Sequence, residues 1–331
     1  MSQDTAWIDA HLDLAYLAGE GRDFLTSTRE AGIDGTVSWP DLADAGIQTA
    51  FGTIFTERDG PADEPAAYPS GDVNAAEAAG LRQLEWYESE ERAGRVRIVR
   101  ERADLEHPIT PRILILMECA DPITGPEAVA AWYRRGLRIV GLSWARGSRY
   151  AGGNGVPGGL TPAGEAIVDA FDECGIAHDV SHLSETAFDD LLARSRGPLC
   201  ATHSNAAAIT GEDPRHLRDD QIRAIAARGG VIGLNLFGRF LHGEDRDATV
   251  EDCLDHVEHV ASIAGRDAVG LGSDADGGFP GSALPVGLRD LRNLDALTTG
   301  LARRGWSMSE CDSFRSRNWR NWLDTLLTSG R

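Results

Sequence analysis

Eight short apolar runs recur along the chain, separated by polar stretches that contain turn residues. Their length and their content of β-branched residues favour buried strands over helices. The runs cover residues 7–13, 48–55, 112–118, 137–144, 175–182, 198–203, 230–237 and 268–274.

Several segments between these runs have the period of an amphipathic helix. Residues 219–228 place Ile222 and Ile225 on one face and stop before a Gly-Gly pair, which is typical of a helix end. Residues 249–264 begin at Thr249, with Asp252 placed to complete a capping box. Two further helices are predicted to begin after the N-cap candidates Thr161 and Ser184.

Strands that alternate with helices predict an α/β protein, and eight of them favour a (β/α)8 TIM barrel over an open sheet. We expect one domain, a single (β/α)8 barrel, over residues 1–331. Such a barrel needs about 250 residues. The remaining residues are assigned to long loops at 59–73 and 145–159 and to a helical C-terminal extension, 285–331, packed on the barrel.

The composition excludes several classes of partner and chemistry. The 331 residues carry 32 basic and 52 acidic side chains, a net charge of −20, which disfavours nucleic acid and anionic membranes. All the basic residues are arginine, so Schiff-base chemistry, a P-loop lysine and a carbamylated-lysine metal bridge are excluded.

Five scattered cysteines do not indicate a disulfide framework. With no signal peptide evident, we expect a cytoplasmic protein.

Potential metal ligands and proton carriers stand at the ends of five of the eight runs. In a TIM barrel the active site lies at the C-terminal ends of the strands, so these side chains are expected to converge. One such residue alone would be more typical of a satisfied core or turn position, but the joint pattern indicates a site. The residues are His11, Asp13, Glu118, His182, His203 and Asp274.

The spacing of these residues suits a metal centre. His11 and Asp13 are two residues apart, so their side chains share one face of a strand and can hold one ion. A carboxylate such as Glu118, above an apolar stripe, is costly to bury unless it is paired, and its two oxygens can bridge two ions. His182 and His203 could then complete the second ion. Mixed nitrogen and oxygen ligands favour Zn²⁺, with Mn²⁺ or Co²⁺ as alternatives.

Another pair of histidines, His256 and His259, does not fit this pattern. Both point away from the apolar face of the predicted helix 249–264, so we expect them on a solvated surface.

The motifs that carry these residues resemble those of the membrane (renal-type) dipeptidase family, binuclear zinc peptidases within the amidohydrolase-like barrels. The resemblance extends from residue 8 to residue 278. The segments that carry it are IDAHLDLA, LILMECA, HDVSHLSE, ATHSNAAAI and AVGLGSDADGG.

The resemblance implies a function and roles for individual residues. It implies hydrolysis of a small dipeptide-like substrate, in some members with a C-terminal D-residue, by a hydroxide bridging two zinc ions. His11 and Asp13 would bind one zinc, Glu118 would bridge, and His182 and His203 would bind the other. Asp274 would be the catalytic acid and base, and Arg215 would bind the terminal carboxylate of the substrate. A homodimer is consistent with the resemblance.

The chain departs from the family pattern next to the predicted scissile bond. Better-studied members have a histidine after the fourth strand, where this chain has Trp144, a substrate-binding candidate with a single N–H donor. Two alternatives to a dipeptidase therefore stay open. One is a related metal-dependent hydrolase of lactones, N-acyl amino acids or cyclic amides, and the other is a non-catalytic metal- or ligand-binding barrel.

Overall fold

Each of the eight predicted runs contains a strand of the structure. A computed structural model describes residues 6–211, 213–242 and 246–329 of the chain. Its strands are β1 (Trp7–Leu12), β2 (Ile47–Ile54), β3 (Glu57–Arg58), β4 (Ala67–Tyr68), β5 (Arg97–Ile98), β6 (Arg112–Met117), β7 (Leu137–Gly141), β8 (Ala151–Gly153), β9 (Val156–Leu160), β10 (Ala177–Asp179), β11 (Leu199–Cys200), β12 (Ile232–Leu234) and β13 (Val269–Leu271).

The helices lie between the strands along the chain, with three α-helices in succession after β1 and three after β13. They are α1 (Leu14–Gly19), α2 (Thr28–Ala31), α3 (Trp39–Asp44), α4 (Val73–Arg92), α5 (Pro126–Arg135), α6 (Pro162–Cys174), α7 (Glu185–Arg194), α8 (Ala207–Thr210), α9 (Asp219–Ala227), α10 (Arg239–His242), α11 (Val250–Ala264), α12 (Asp295–Arg303), α13 (Met308–Asp312) and α14 (Asn318–Ser329). Among the helices of the described residues, none is both long enough and apolar enough to cross a bilayer.

The fold divides into two compact units by its internal contacts. Unit 1 holds the described residues up to Asp13, together with Asp23–Phe51 and Ala201–Leu323. Unit 2 holds Leu14–Arg22, Gly52–Cys200 and the described residues from Asp324. The single-domain organisation of residues 1–331 stays a prediction.

Both units are built on parallel strands. In unit 1, β1 pairs with β13 and β13 pairs with β12. In unit 2, β6 pairs with β7, β7 with β10 and β10 with β11. Strands β1, β6 and β7 are buried along their whole length, as expected for parallel strands covered on both faces. Eight parallel strands connected by helices confirm the predicted (β/α)8 fold class.

The predicted helix starts are also confirmed. Thr161 and Ser184 cap α6 and α7, and each side chain accepts a hydrogen bond from a backbone N–H of the first turn. Thr249 and Asp252 form the predicted capping box of α11. The C-terminal extension contains α12 to α14. Within unit 1, Trp319 of α14 donates to the Leu271 carbonyl at 2.9 Å, which packs this helix against the end of β13. Residues 330 and 331 of the predicted extension lie outside the described residues.

The capping box of α11 leads to a stability prediction. Asp252 accepts hydrogen bonds from the Thr249 backbone and hydroxyl at 2.8 and 2.7 Å and pairs with Arg246. Asp252→Ala should cost about 1 kcal/mol, because the cap is lost, and should lower the thermal midpoint by about a few °C. The Arg246 hydrogen bond holds the pKa of Asp252 below its ordinary value of 3.8.

The loss of stability in Asp252→Ala should depend on pH in one direction, becoming smaller as the pH falls. Because the folded pKa is lower than the unfolded one, the carboxylate stabilises the fold above pH 4, and this contribution disappears as the pH falls. Thermal scans at neutral and acid pH should show the wild type and the variant converging in acid. Asp189→Ala, at an exposed position of α7, is the matched control and should not change the midpoint.

One of the predicted long loops has structure of its own. Within residues 145–159, β8 pairs antiparallel with β9 across the two residues Asn154 and Gly155. Asn-Gly is a strong two-residue hairpin signal, which the sequence analysis did not use. The hairpin lies in unit 2, where it contacts one of the predicted metal ligands.

Candidate metal centre

The predicted site residues fall into two groups, one in each unit. Unit 1 contains the histidine–aspartate cluster, defined as His11, Asp13, His203 and Asp274, and also Arg215. Unit 2 contains the glutamate–histidine pair, defined as Glu118 and His182, and also Trp144.

The histidine–aspartate cluster is compact and buried. The rings of His11 and His203 stack with centroids 3.5 Å apart and planes 28° apart. One ligand atom from each of His11, His203 and Asp274 lies within 4.8 Å of the other two. His11 Nε2 lies 3.9 Å from Asp13 Oδ1. The four side chains come from three distant parts of the chain, and the largest exposed fraction among them is 9%.

Strand register brings these residues together. His11 lies on β1, and its carbonyl accepts a hydrogen bond from the Asp274 N–H at 3.2 Å, just after β13. Asp274 has a φ of 59°, in the left-handed region that is uncommon for residues other than glycine. This conformation turns the chain directly after β13 and presents the Asp274 side chain beside His11.

Burial decides the charge states in the cluster. It lowers the pKa of His11 well below its ordinary value, and the nearby Arg215 charge lowers it further, so the imidazole is neutral and has a lone pair to offer. Burial also raises the pKa of Asp274 well above its ordinary value, and the adjacent Asp13 carboxylate raises it again. Two acidic groups buried side by side are costly without a compensating cation.

These donors fit a divalent metal. Neutral imidazole nitrogens and carboxylate oxygens are the ligands of zinc sites, and the repulsion between Asp13 and Asp274 is relieved by a bound cation. The residues of the cluster are therefore chemically suited to the ion that the sequence predicts.

The glutamate–histidine pair of unit 2 is similar in kind. His182 Nε2 lies 3.0 Å from Glu118 Oε1, and both side chains are buried. His182 has a φ of 66°, so a second predicted site residue, after Asp274, has left-handed backbone. Non-glycine residues with this conformation concentrate at functional sites, where the surrounding structure enforces them.

The hairpin of β8 and β9 holds His182 in this conformation. Asn154, at its tip, donates its backbone N–H to the His182 carbonyl at 2.7 Å. Its side-chain Oδ1 lies 3.1 Å from His182 Nδ1. Because Nδ1 is engaged by this oxygen, Nε2 is the nitrogen that faces Glu118.

Trp144 lies beside the same histidine. Its ring is half-buried, with centroids 6.0 Å from His182 and 5.2 Å from Phe55. The side chains of the two arginines that follow are engaged elsewhere: Arg146 pairs with Glu57 at 2.8 Å, and the Arg149 guanidinium donates to the Ile123 carbonyl at 3.0 Å. Within unit 2, Trp144 thus presents an aromatic surface next to the glutamate–histidine pair.

Arg215 is buried next to the histidine–aspartate cluster. Its guanidinium donates to the His203 carbonyl at 2.7 Å and to Ser204 Oγ at 3.1 Å, and it lies 5.4 Å from the Phe240 ring centroid. The positive charge opposes the rise in the pKa of Asp274. An arginine in this position can bind an anionic group presented to the cluster.

Sequence reasoning missed Asn235, which contacts Asp274. Asn235 Nδ2 donates to Asp274 Oδ2 at 2.9 Å, while its Oδ1 accepts from the Phe237 N–H at 2.7 Å. The second bond fixes which end of the amide faces the carboxylate. The only signal in the sequence is an asparagine inside the apolar run 230–237, and that signal is weak.

The expectation for His256 was wrong. Its side chain is 1% exposed, with Nε2 bound to the Leu241 carbonyl at 2.9 Å and Nδ1 accepting from the Ala206 N–H at 3.1 Å. The helical period identifies only the side of α11 that packs on the sheet. A second side of the helix is covered as well, since His256 bonds to Leu241 of α10 and to Ala206, the residue before α8. His259 remains partly exposed and pairs with Asp219.

Comparisons with known proteins identify the family. The model of the membrane dipeptidase family (peptidase family M19) matches residues 1–323. A solved metallopeptidase of family M19, dipeptidase AC, is 27% identical, with a TM-score of 0.85 over 97% of this chain and 99% of its own. A metallopeptidase from Rhodobacter sphaeroides, solved with a phosphinate mimic of the dipeptide L-Ala-D-Ala, is also 27% identical. Its TM-score is 0.81, over 96% of this chain and 98% of its own.

Sequence relatives agree with this result. An uncharacterized protein of Klebsiella pneumoniae, from the pqqA 5′ region, is 34% identical over 71% of this chain and 89% of its own. Dipeptidase aclJ of Aspergillus oryzae is 30% identical over 60% of this chain, but the match spans only 47% of that protein. The chain belongs to the membrane dipeptidase family, peptidase family M19, and is a metallo-dipeptidase of that metal-dependent family.

Proposed function

We propose that this chain hydrolyses dipeptides with the help of two zinc ions held by the predicted ligands. The observation that carries the proposal is the histidine–aspartate cluster, in which two buried histidines, one of them with a lowered pKa (His11), and two buried carboxyl groups lie beside a buried arginine. His11 and Asp13 would hold one ion, His182 and His203 the other, and Glu118 would bridge them. The two ions would supply a water-derived nucleophile at neutral pH and polarise the scissile carbonyl.

In this proposal Asp274 moves the proton. Its carboxylate takes a proton from the attacking water and passes it to the leaving amine. Asp274 is buried beside His11 and His203, where its carboxylate can pass a proton between the water and the substrate. Asn235 holds Oδ2 of the carboxylate by a hydrogen bond, so Asp274 is oriented before the substrate arrives.

Arg215 would fix the register of the substrate. Its guanidinium lies beside the histidine–aspartate cluster and is suited to the free carboxylate at the C-terminal end of a dipeptide. This contact would place the peptide bond within reach of Asp274. The substrate would then be restricted to two residues, since a longer peptide carries its carboxylate too far from the scissile bond.

We also propose that a D-residue is accepted at the C-terminal position. Support comes from the Rhodobacter sphaeroides metallopeptidase, which was solved with a mimic of L-Ala-D-Ala. Zinc as the metal, the cytoplasmic location and the homodimer stay predictions.

A second candidate function is favoured by Trp144. Its ring stands beside His182, where the resemblance expects a histidine that could stabilise an oxyanion, and an indole offers only one N–H donor. In that case the substrate would be a lactone, an N-acyl amino acid or a cyclic amide, and its carbonyl would be stabilised during hydrolysis by groups other than a histidine at this position. A barrel that binds ligands without turnover is disfavoured by the oriented Asp274, since binding alone needs no proton carrier.

The test is a library of L-L and L-D dipeptides incubated with zinc-reconstituted protein and analysed by mass spectrometry. We expect cleavage that stops when a chelator removes the metal and returns when zinc is added back. The library also ranks the accepted side chains and the configuration of the second residue. A protein that holds two zinc ions and cleaves no dipeptide, but opens a lactone in a parallel panel, would establish the second candidate instead.

A further inference from the structure

One hydroxyl contacts both histidines of the histidine–aspartate cluster. Thr202 Oγ1 lies 2.9 Å from His203 Nδ1 and 3.3 Å from His11 Nδ1. The two rings stack, which places both Nδ1 atoms on the same side, within reach of a single oxygen. Thr202 is fully buried.

The hydrogen-bonding capacity of this oxygen limits the histidine tautomers. A hydroxyl oxygen has two lone pairs, enough to accept one N–H from each ring. If both Nδ1 atoms carry the proton, both Nε2 atoms have a lone pair for a metal. Asp13 Oδ1 lies 3.9 Å from His11 Nε2, so with this tautomer a cation between them would have an imidazole lone pair and a carboxylate oxygen as ligands.

The backbone around Thr202 allows little movement of the hydroxyl. A Cβ added at Gly233 or at Gly272 would lie 1.9 or 1.7 Å from the Thr202 carbonyl oxygen, so only glycine fits at these two positions. As a β-branched residue, threonine also has restricted rotation about χ1. The oxygen is therefore fixed in place before any metal binds.

A neutral oxygen engages Nδ1 of the third predicted histidine ligand as well. In unit 2, Asn154 Oδ1 faces His182 Nδ1, and Nε2 is directed at Glu118. The same arrangement occurs in both units with different residue types. It is the arrangement by which neighbouring oxygens orient metal-bound histidines.

We propose that Thr202 is a positioning residue that fixes the Nε2-ligating tautomer of His11 and His203 together. The inference rests on the proposed function, because it assumes that these histidines bind metal. One hydroxyl would then control a ligand of each of the two ions.

Removal of the hydroxyl tests the proposal. Thr202→Val keeps the shape of the side chain and should weaken zinc binding about 10–100-fold, measured by competition with a chromophoric chelator. Thr202→Ser keeps the hydroxyl and should stay within about threefold of the wild type. Thr56→Val makes the same change at another fully buried threonine and should leave the affinity unchanged. The thermal midpoint of the metal-free protein should be similar in all four proteins.

Asn154→Leu provides a comparison in unit 2. This substitution removes the oxygen that faces His182 and leaves Thr202 in place. In a stoichiometric titration it should therefore weaken the binding of only one of the two zinc ions. Thr202→Val should weaken the binding of both. If Thr202→Val weakens only one ion, the shared role of the hydroxyl is wrong.

Two results would overturn the proposal, and they differ from a failure of the proposed function. Equal zinc affinity of the wild type and Thr202→Val would remove the role of the hydroxyl while leaving the metal centre intact. Histidine ring ¹⁵N spectra showing Nε2 protonated at His11 or His203 in the zinc-loaded protein would do the same. A wild type that binds no zinc would instead contradict the proposed function itself.

Discussion

Replacing Asp274 by asparagine should lower kcat for dipeptide hydrolysis about 10²–10⁴-fold, the range by which general acid–base groups accelerate reactions. Asparagine has nearly the same shape and can still accept the Asn235 hydrogen bond through its side-chain oxygen. It cannot take a proton from water or return one to the amine. The variant should therefore bind substrate but turn it over slowly.

The measurement needs kinetics and metal content together. Steady-state assays give kcat and KM, and elemental analysis shows whether both ions remain, which separates proton transfer from metal binding. Asp267→Asn, at an exposed position outside the site, is the matched control and should retain full activity. A variant with two metals and a kcat within about threefold of the wild type would leave Asp274 without its proposed role.

Arg215→Met should reduce kcat/KM for free dipeptides about 10²–10³-fold, as expected when one partner of a buried charged contact is removed. Methionine occupies much of the same volume but carries no charge. The pKa values of His11 and Asp274 would both rise without the arginine, because its charge lowers each of them. A loss of activity alone would therefore not identify the cause.

Dipeptide amides separate these two effects. They lack the terminal carboxylate, so the wild type should hydrolyse them poorly, and Arg215→Met should remove the preference for the free acid. The electrostatic change in the cluster acts on both substrates alike and cancels in their ratio. Arg223→Met, at an exposed position of α9, is the control. If the preference for the free acid survives in Arg215→Met, another residue binds the carboxylate.

The positions of the strands, and the polar residues at their ends, could be predicted from the sequence because both depend on the order of apolar and polar residues within a short segment. Apolar runs mark buried strands, and a polar side chain at the end of such a run stands out by itself. His11 and Asp13 were visible for this reason. The chemical character of each candidate ligand could be recognised before its neighbours were known.

The supporting contacts could not be predicted in this way. Thr202 contacts His11 and Asn235 contacts Asp274, and each of these pairs is far apart in the sequence. Neither threonine nor asparagine is unusual at the end of a strand. Asn154 could have been found, since Asn-Gly predicts a hairpin, but its contact with His182 depends on where that hairpin folds. His256 was assigned to the surface because periodicity describes one packing face of a helix and cannot show that a second face is covered.

The discontinuity of unit 1 has a consequence for the synthesis of this protein. Asp9 on β1 bonds to Ser273, which is 264 residues further along the chain. At 5–20 residues per second, a ribosome needs roughly 13–50 s to make that interval. During this time β1 has β2 as a neighbour on one side but lacks β13 on the other. The edge of β1 that receives β13 is therefore open for most of translation, and a chain released from a ribosome stalled before residue 269 would expose an unpaired strand edge, the kind of edge that pairs with other chains.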